Sequence, residues 1–596
     1  MSIQQSDISP AGGVTRAVLR ATISSRRVRR IILFLAVGAV AGLLAAGYSH
    51  SLDWLTGQLQ GGLAGMRGTG HPGESTLLRP WVLPLMTTFV GALTGWLVSR
   101  FAPEAANAGT DGTDAMIRAF HQGRGRIRPL TAVLRTLTSI LTMASGGSAG
   151  KEGPVAFMGA GFGAWVAERM SLTDKERRIL LLAGAAAGLG AIFHAPLGGA
   201  LTAVEVLYSE DFEGEALLPA IVSSVTAYTI SSLFLGTAPF LEDMDLVPMS
   251  LMDAPFYLLL ALACAGSAWL YVRSFFLIKY KVFRKISGRL GLPLCTALGG
   301  LLMGCVGMAF PELLGASHSS LELAVLGKLP AAALLALLLG KVLATSMTIG
   351  SGFSGGMFAP GLFVGGMTGG LAAKACEALG RGGPELSGSF VLVGMSAFFG
   401  CAAKAPIGPI IMVCEITQGY VLLAPLMLCT AVSLMLSGSF CLYENQVRSK
   451  FDSPAHRDGA VSAALQQLTV GDVFMRCKAV VLEESTTLAA LSDIVSNTED
   501  VAFPVRGADG SITGLLDVRD VRPVIFEKSL YPLLVVRDLA RPPVLLVPEQ
   551  DLHQALMSFV ESRTDQLPVV DPDDRSTILG FLTMRALLAA PREETG

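Results

Sequence analysis

The sequence predicts an all-α, multi-pass membrane protein built from inverted repeats with broken helices, followed by a soluble α/β domain. Three observations lead there. Of 596 residues, 51% are apolar and only 15% charged, and the mean hydropathy is +0.55, values of integral membrane proteins rather than soluble enzymes. Two glycine-rich motifs recur in the same order at an offset near 210 residues, the mark of an internal duplication. After Tyr443–Gly459 ("YENQVRSKFDSPAHRDG") the apolar stretches give way to short β-branched runs between charged turns.

The N-terminal segment, residues 1–30, ends in "RRVRR" (Arg26–Arg30), with Arg16 and Arg20 upstream. The positive-inside rule places it in the cytoplasm. The apolar run that follows reads as a retained span, not a cleaved signal peptide, because many more spans succeed it. Among them are "IILFLAVGAVAGLLAAGY" from Ile31, "WVLPLMTTFVGALTGWLV" from Trp81, "FYLLLALACAGSAWLYV" from Phe256 and "YVLLAPLMLCTAVSLMLSGSFCLY" from Tyr420. Each approaches the roughly 20 residues a crossing needs. The 67 glycines permit close helix contact and interrupted helices.

Eight of the nine cysteines lie in the apolar region without C-x-x-C spacing, so neither a disulfide framework nor a zinc site is expected. The histidines are dispersed, and only His194 falls at membrane depth. No nucleophile–base pair or cofactor motif appears, so an enzyme is not expected. The net charge of −2 points to no particular partner, and nucleic acid is not among those expected.

The membrane region, residues 31–450, repeats over about 80–236 and 290–442. "GAAAGLGAIFHAPLGGALTAVEV" from Gly184 matches "GMSAFFGCAAKAPIGPIIMVCEI" from Gly394 at a shift of 210, which sets Glu205 on Glu415. "SAGKEGP" (Ser148–Pro154) matches "SGGMFAP" (Ser354–Pro360) at a shift of 206, which sets Glu152 on Phe358. Transport proteins with inverted repeats aim interrupted helix N-termini at a midplane site. Such ends bind anions through unsatisfied N–H groups and partial positive charge.

Glu152 stands out in that setting, since a membrane-depth carboxylate costs about 3 kcal/mol even on mild scales. Placed at a helix start built for an anion, it acts as a tethered competitor that protonation releases. The plainer alternative is a glutamate that caps its own helix. Lys151 adds positive field at the mouth.

"GKEGP", "GSGFSGGMFAPG" (Gly350–Gly361), the two Ala-Pro loops and the paired downstream repeats together resemble the CLC family of chloride channels and chloride/proton exchangers. The resemblance covers roughly residues 30–596. It implies a homodimer with one pore per subunit in the lipid of a bacterial inner membrane, with both termini cytoplasmic and a small anion such as chloride as cargo. It also implies that Glu152 is the external gate, and that Gly153, Gly356, Met357, Phe358 and Ala359 line the anion path. Tyr443 in "CLYENQ" then turns its hydroxyl to the central anion; otherwise it is an interfacial aromatic anchor.

Two departures from the family pattern carry expectations of their own. The first anion loop usually reads G-S-G-I-P or G-H-G-V-P, and here it is "NAGTDGTDAMIRAF". Asp111, or Thr110 after a one-residue shift, falls at the anion-facing position ahead of Gly112. Since a bare carboxylate there defeats anion binding, backbone N–H groups or the threonine hydroxyl are expected to face the ion. After the first Ala-Pro loop, exchangers usually carry two acids, the second relaying protons; here Glu205 is followed by Val206. Valine carries no proton, so a passive anion channel gated by Glu152 is the expected function, with chloride/proton antiport as the alternative. A magnesium channel needs clustered carboxylate oxygens, and the glycine-rich helix starts argue against it.

Residues 451–467 read as a linker and residues 468–596 as a pair of CBS-type repeats, each ending in strand, acidic turn, strand and helix. Such pairs often bind adenine nucleotides through a hydroxyl residue and an aspartate three positions on. The second repeat has Thr583 but Ala586; the first has Asp520 but Asp517 in place of the hydroxyl. Neither half is complete. Dimerisation and coupling are expected ahead of nucleotide sensing, and no cofactor is expected.

Overall fold

A computed structural model describes residues 26–67, 76–107, 111–236, 252–380, 384–456, 468–498, 500–524 and 526–593, with 246, 248, 250 and 465. Residues 1–25, most of the linker and Thr110 lie outside the described residues. The chain divides into two compact units, Met1–Ala455 and His456–Gly596.

The first unit is helical. Its first half comprises α1 (Arg26–Thr56), α2 (Val82–Phe101), α3 (Gly112–His121), α4 (Pro129–Ala144), α5 (Glu152–Arg169), α6 (Asp174–Phe193), α7 (Pro196–Glu205) and α8 (Gly214–Leu235). The second comprises α9 (Ala254–Leu277, extended to Leu290), α10 (Leu292–Ala309), α11 (His318–Val325), α12 (Ala331–Gly350), α13 (Phe358–Ala378), α14 (Pro384–Ala403), α15 (Ile407–Ile416) and α16 (Leu423–Met435). Seven of the described helices are long and apolar enough to cross a membrane. α7 and α15, which follow the two Ala-Pro loops, have only ten residues each, too few to cross alone. The protein is an integral, multi-pass membrane protein.

Local sequence explains where these helices begin and end. Pro129, Pro196 and Pro293 stand in first turns, where no N–H is needed and φ is already helical. Thr173 and Glu176 close a reciprocal capping box at the start of α6, satisfying two of its exposed amides. α6 ends at His194 (φ 55°), and Lys404 (φ 56°) stands at the matching place just past α14. Each adopts the left-handed conformation that terminates helices, and each is followed by Ala-Pro. The duplication thus extends to individual backbone angles.

It also governs helix contact. Gly159 on α5 abuts the Gly184 carbonyl on α6 and the reverse; Gly365 on α13 and Gly394 on α14 repeat the exchange. A methyl at any of these four would meet backbone. The leading helices match as well, α1 against α6 and α8, α9 against α14 and α16.

The second unit holds two three-stranded sheets. β4 (Leu482–Glu483) pairs in parallel with β5 (Ala502–Arg506), which pairs antiparallel with β6 (Ile512–Asp517). β3 (Met475–Arg476) pairs with β8 (Ile578–Thr583), which pairs with β7 (Gln566–Val570); in the first unit β1 (Met66–Arg67) pairs antiparallel with β2 (Thr76–Leu77). Both β5–β6 and β7–β8 shift register at the same place, Val505/Arg506 and Val569/Val570. Each sheet buries its own apolar cluster, around Phe503 and Leu516 in one and Leu567 and Leu582 in the other.

Candidate functional site

The two glycine-rich loops meet. Gly150 and Gly356 form an antiparallel bridge with reciprocal N–H···O distances of 2.8 Å, so the first residues of α5 and α13 converge on one point. Gly112, heading α3, lies against the Gly153 carbonyl, and a methyl on Gly153 would stand 3.1 Å from Gly356 Cα. Only glycine lets three helix starts approach so closely. Their N–H groups concentrate partial positive charge where no full cation is needed.

Predicted site residues other than glycine stand at this convergence too. Glu152 is buried, and neither carboxylate oxygen has a hydrogen-bond partner. Its carboxylate lies over Gly150 Cα and faces the Ala359 amide. The Tyr443 hydroxyl is likewise buried and unpartnered, turned toward Thr113 and Asp111. The Phe358 ring fits between Phe193 (4.9 Å between centroids) and Phe399 (4.0 Å), which fixes the start of α13. Lys151, partly exposed, precedes α5 as its N-cap residue.

Asp111 differs from the expectation. Its carboxylate faces the convergence: Oδ1 accepts the Asp114 N–H and Oδ2 the Met357 N–H, both at 2.9 Å. The Met357 amide, expected to line the anion path, is therefore already engaged. The reason is local. Asp111 is the extended N-cap residue of α3, and an N-cap carboxylate accepting its own N3 amide has its second oxygen free for whatever the other repeat presents.

Sequence reasoning passed over two residues that build the site. Asp114 accepts the N–H groups of Glu444 (3.2 Å) and Asn445 (2.9 Å) and so holds the backbone next to Tyr443. Its signal was D-x-x-D at a helix start, an acidic form of the capping pattern. Arg135 donates to the Asp111 carbonyl (2.9 Å) and the Ala105 carbonyl (2.6 Å). This cation belongs to no recognisable motif. A cavity of about 530 Å³ adjoins the convergence, with Asp111, Arg135, Lys279, Arg284, Ser354 and Glu444 in its wall.

Glu205 and Glu415 explain each other. Glu205 accepts the N–H groups of Ile407 (2.9 Å) and Gly408 (2.8 Å) at the start of α15. Glu415 accepts those of Leu197 (3.0 Å) and Gly198 (2.7 Å) at the start of α7. α7 and α15 are therefore antiparallel, each carrying at its C-terminal end the cap of the other, as a two-fold between inverted halves requires. Val206 is fully buried and its carbonyl accepts from Gln446 (2.9 Å).

Comparison with known proteins adds the family. The voltage gated chloride channel family matches residues 90–438, more than half of the chain. The chain belongs to that family. CBS domains match residues 470–527 and 536–593 of this chloride channel family member. A protein of Yersinia pseudotuberculosis named H(+)/Cl(-) exchange transporter ClcA is 29% identical over 452 residues, 74% of this chain and 92% of the relative. The protein of that name from Cronobacter sakazakii is 29% identical over 70% of this chain and 89% of its own. Among solved structures, a slow cyanobacterial Cl-/H+ antiporter shares the fold with a TM-score of 0.60 at 22% identity, over 69% of this chain and 94% of that one. A eukaryotic CLC transporter aligns over 94% and 98% with a TM-score of 0.58 at 16% identity.

In the CBS unit the would-be nucleotide residues are engaged within the chain. Arg541 donates to Asp520. Arg519 grips Asp517 through two nitrogens, at 3.0 and 2.8 Å. Burial alone would push the Asp517 carboxyl up, but the Arg519 side chain and N–H outweigh it and hold it below its ordinary range. Thr583 Oγ1 accepts the Ala586 N–H (3.1 Å).

Proposed function

We propose that this protein moves chloride across the membrane in exchange for protons, through one pore in each subunit of a homodimer whose chain ends face the cytoplasm. The observation that carries the reading is the Glu152 carboxylate, buried without a hydrogen-bond partner where α3, α5 and α13 begin. A charge so placed fits a stand-in for a mobile anion or a proton carrier. Ionised, it competes for the Ala359 end of α13; protonated, it withdraws and an anion takes its place. The Tyr443 hydroxyl supplies a hydrogen bond from an apolar body. Proton coupling is supported by the names of the relatives.

Val206 favours a second reading, passive anion conduction, because the usual inner proton relay is absent and Glu205 is committed to capping α15. Under the exchange reading the inner proton passes through another acid. Glu213 is the buried one, 3% exposed, with the Tyr208 hydroxyl donating to it at 2.8 Å and its own N–H bonded to the Val204 carbonyl (3.0 Å). Glu210 is exposed and paired with Arg448. The two readings separate in liposomes under independent chloride and pH gradients. Exchange displaces the reversal potential when a pH gradient is imposed; passive conduction leaves it at the chloride equilibrium value. Loss of coupling in Glu213→Gln with chloride flux retained assigns the relay. The CBS pair serves assembly and coupling rather than nucleotide sensing.

A further inference from the structure

Glu152 shares the convergence with Asp111, whose neighbour Asp114 is committed to the Glu444 and Asn445 N–H groups. Asp111 Oδ2 lies 3.3 Å from where a methyl on Gly153 would stand, against the same short backbone stretch that Glu152 flanks from Gly150. The two acids face nearby amides of the second loop, Asp111 that of Met357 and Glu152 that of Ala359. Asp111 alone of the pair also borders the 530 Å³ cavity, which Arg135, Lys279 and Arg284 line with positive charge. Lys279 is already paired with Glu444 (3.1 Å), and Arg135 holds the Asp111 turn through its backbone.

We propose that Asp111 is a second tethered anion, on the cavity side of the convergence, which the transported anion must displace from the Met357 amide. This rests on reading the convergence as an anion path. The local geometry favours it. An amide at a helix start has one position for an acceptor, and the Asp111 carboxylate occupies it at 2.9 Å. The side chain has somewhere to go, because the adjoining cavity offers room and the Arg135 guanidinium. Its other oxygen keeps the α3 cap through Asp114, so displacement needs a side-chain rotation and no unfolding. The consequence is weak intrinsic chloride binding in the native protein, with both ends of the site closed by the chain's own carboxylates.

The test uses the purified full chain, with chloride binding by calorimetry and chloride efflux from liposomes. Asp111→Asn keeps the side-chain shape and the Asp114 cap but withdraws the charge from Met357; Asp111→Ser removes the carboxylate altogether. Both are expected to bind chloride more tightly by about tenfold or more, the worth of one charged hydrogen bond, and to release it faster from liposomes. The gain is expected to multiply with that of Glu152→Gln. Unchanged or weaker binding in monodisperse, transporting variants overturns the proposal and makes Asp111 a bridge between the halves. If native protein and every variant neither bind nor move chloride, the anion-path reading falls and this proposal with it. Should both variants fail to fold, native protein labelled with ¹³C-aspartate decides: chloride must shift a carboxylate infrared band, and a spectrum indifferent to chloride refutes displacement.

Discussion

Replacing Glu152 by glutamine leaves the side-chain volume almost unchanged and removes its charge. Its carboxylate sits buried over Gly150 and faces the Ala359 amide, so an arriving anion competes with it for the start of α13. A hydrogen bond to a charged group contributes about 1.5–3 kcal/mol, and about 1.4 kcal/mol corresponds to tenfold in an equilibrium constant. Withdrawing the competitor should therefore tighten chloride binding between about tenfold and about a hundredfold. Efflux from chloride-loaded liposomes, with valinomycin shunting the potential, should rise and lose its dependence on pH, because no group remains at that position to be protonated. Proton movement should uncouple from chloride movement. An unaltered affinity, together with an efflux–pH profile that superimposes on the native one, would reduce Glu152 to a residue that closes its own helix start.

Tyr443→Phe should weaken chloride binding by about tenfold or more at no cost in thermal stability, since its hydroxyl has no partner to lose; a lower melting temperature with unchanged affinity points to a structural role. Glu205→Gln should destabilise the membrane unit by about 3 kcal/mol, leaving at least one buried helix amide without an acceptor, and Glu415→Gln by less because that site is more exposed. Equal midpoints for both variants and the native protein in detergent unfolding would contradict the reciprocal caps. In the CBS unit the folded Asp517 carboxyl titrates below its unfolded value, so its stabilisation is complete above about pH 4 and is lost as pH falls through the lower folded value. Hydrogen exchange over residues 502–521 should accelerate in Asp517→Asn at neutral pH, and much less at acid pH; equal acceleration at both rules the ion pair out. ATP should leave the melting temperature of the full chain nearly unchanged, and saturable stabilisation would show that the Arg519 and Arg541 pairs give way to nucleotide.

The sequence by itself determined the membrane class, the duplication and the meeting of two glycine-rich helix starts. Those are properties of composition and of spacing along the chain: long apolar runs must cross, matched motifs must fold alike, and glycine beside proline marks an interrupted helix. It also singled out Glu152 and Tyr443, because a carboxylate and a phenol stand out against an apolar background. What each acid does was decided only by the tertiary structure. Asp111 and Met357 lie 246 residues apart, and Glu205 and Gly408 lie 203 apart; nothing local to either residue signals the partner. Asp111 reads as an ordinary N-cap until the inverted half presents a free amide to its second oxygen. Glu205 reads as the first of the two acids exchangers carry until α15 begins within reach of its carboxylate. A side chain's local preference selects the kind of bond it makes, and the approximate two-fold between the halves selects with whom.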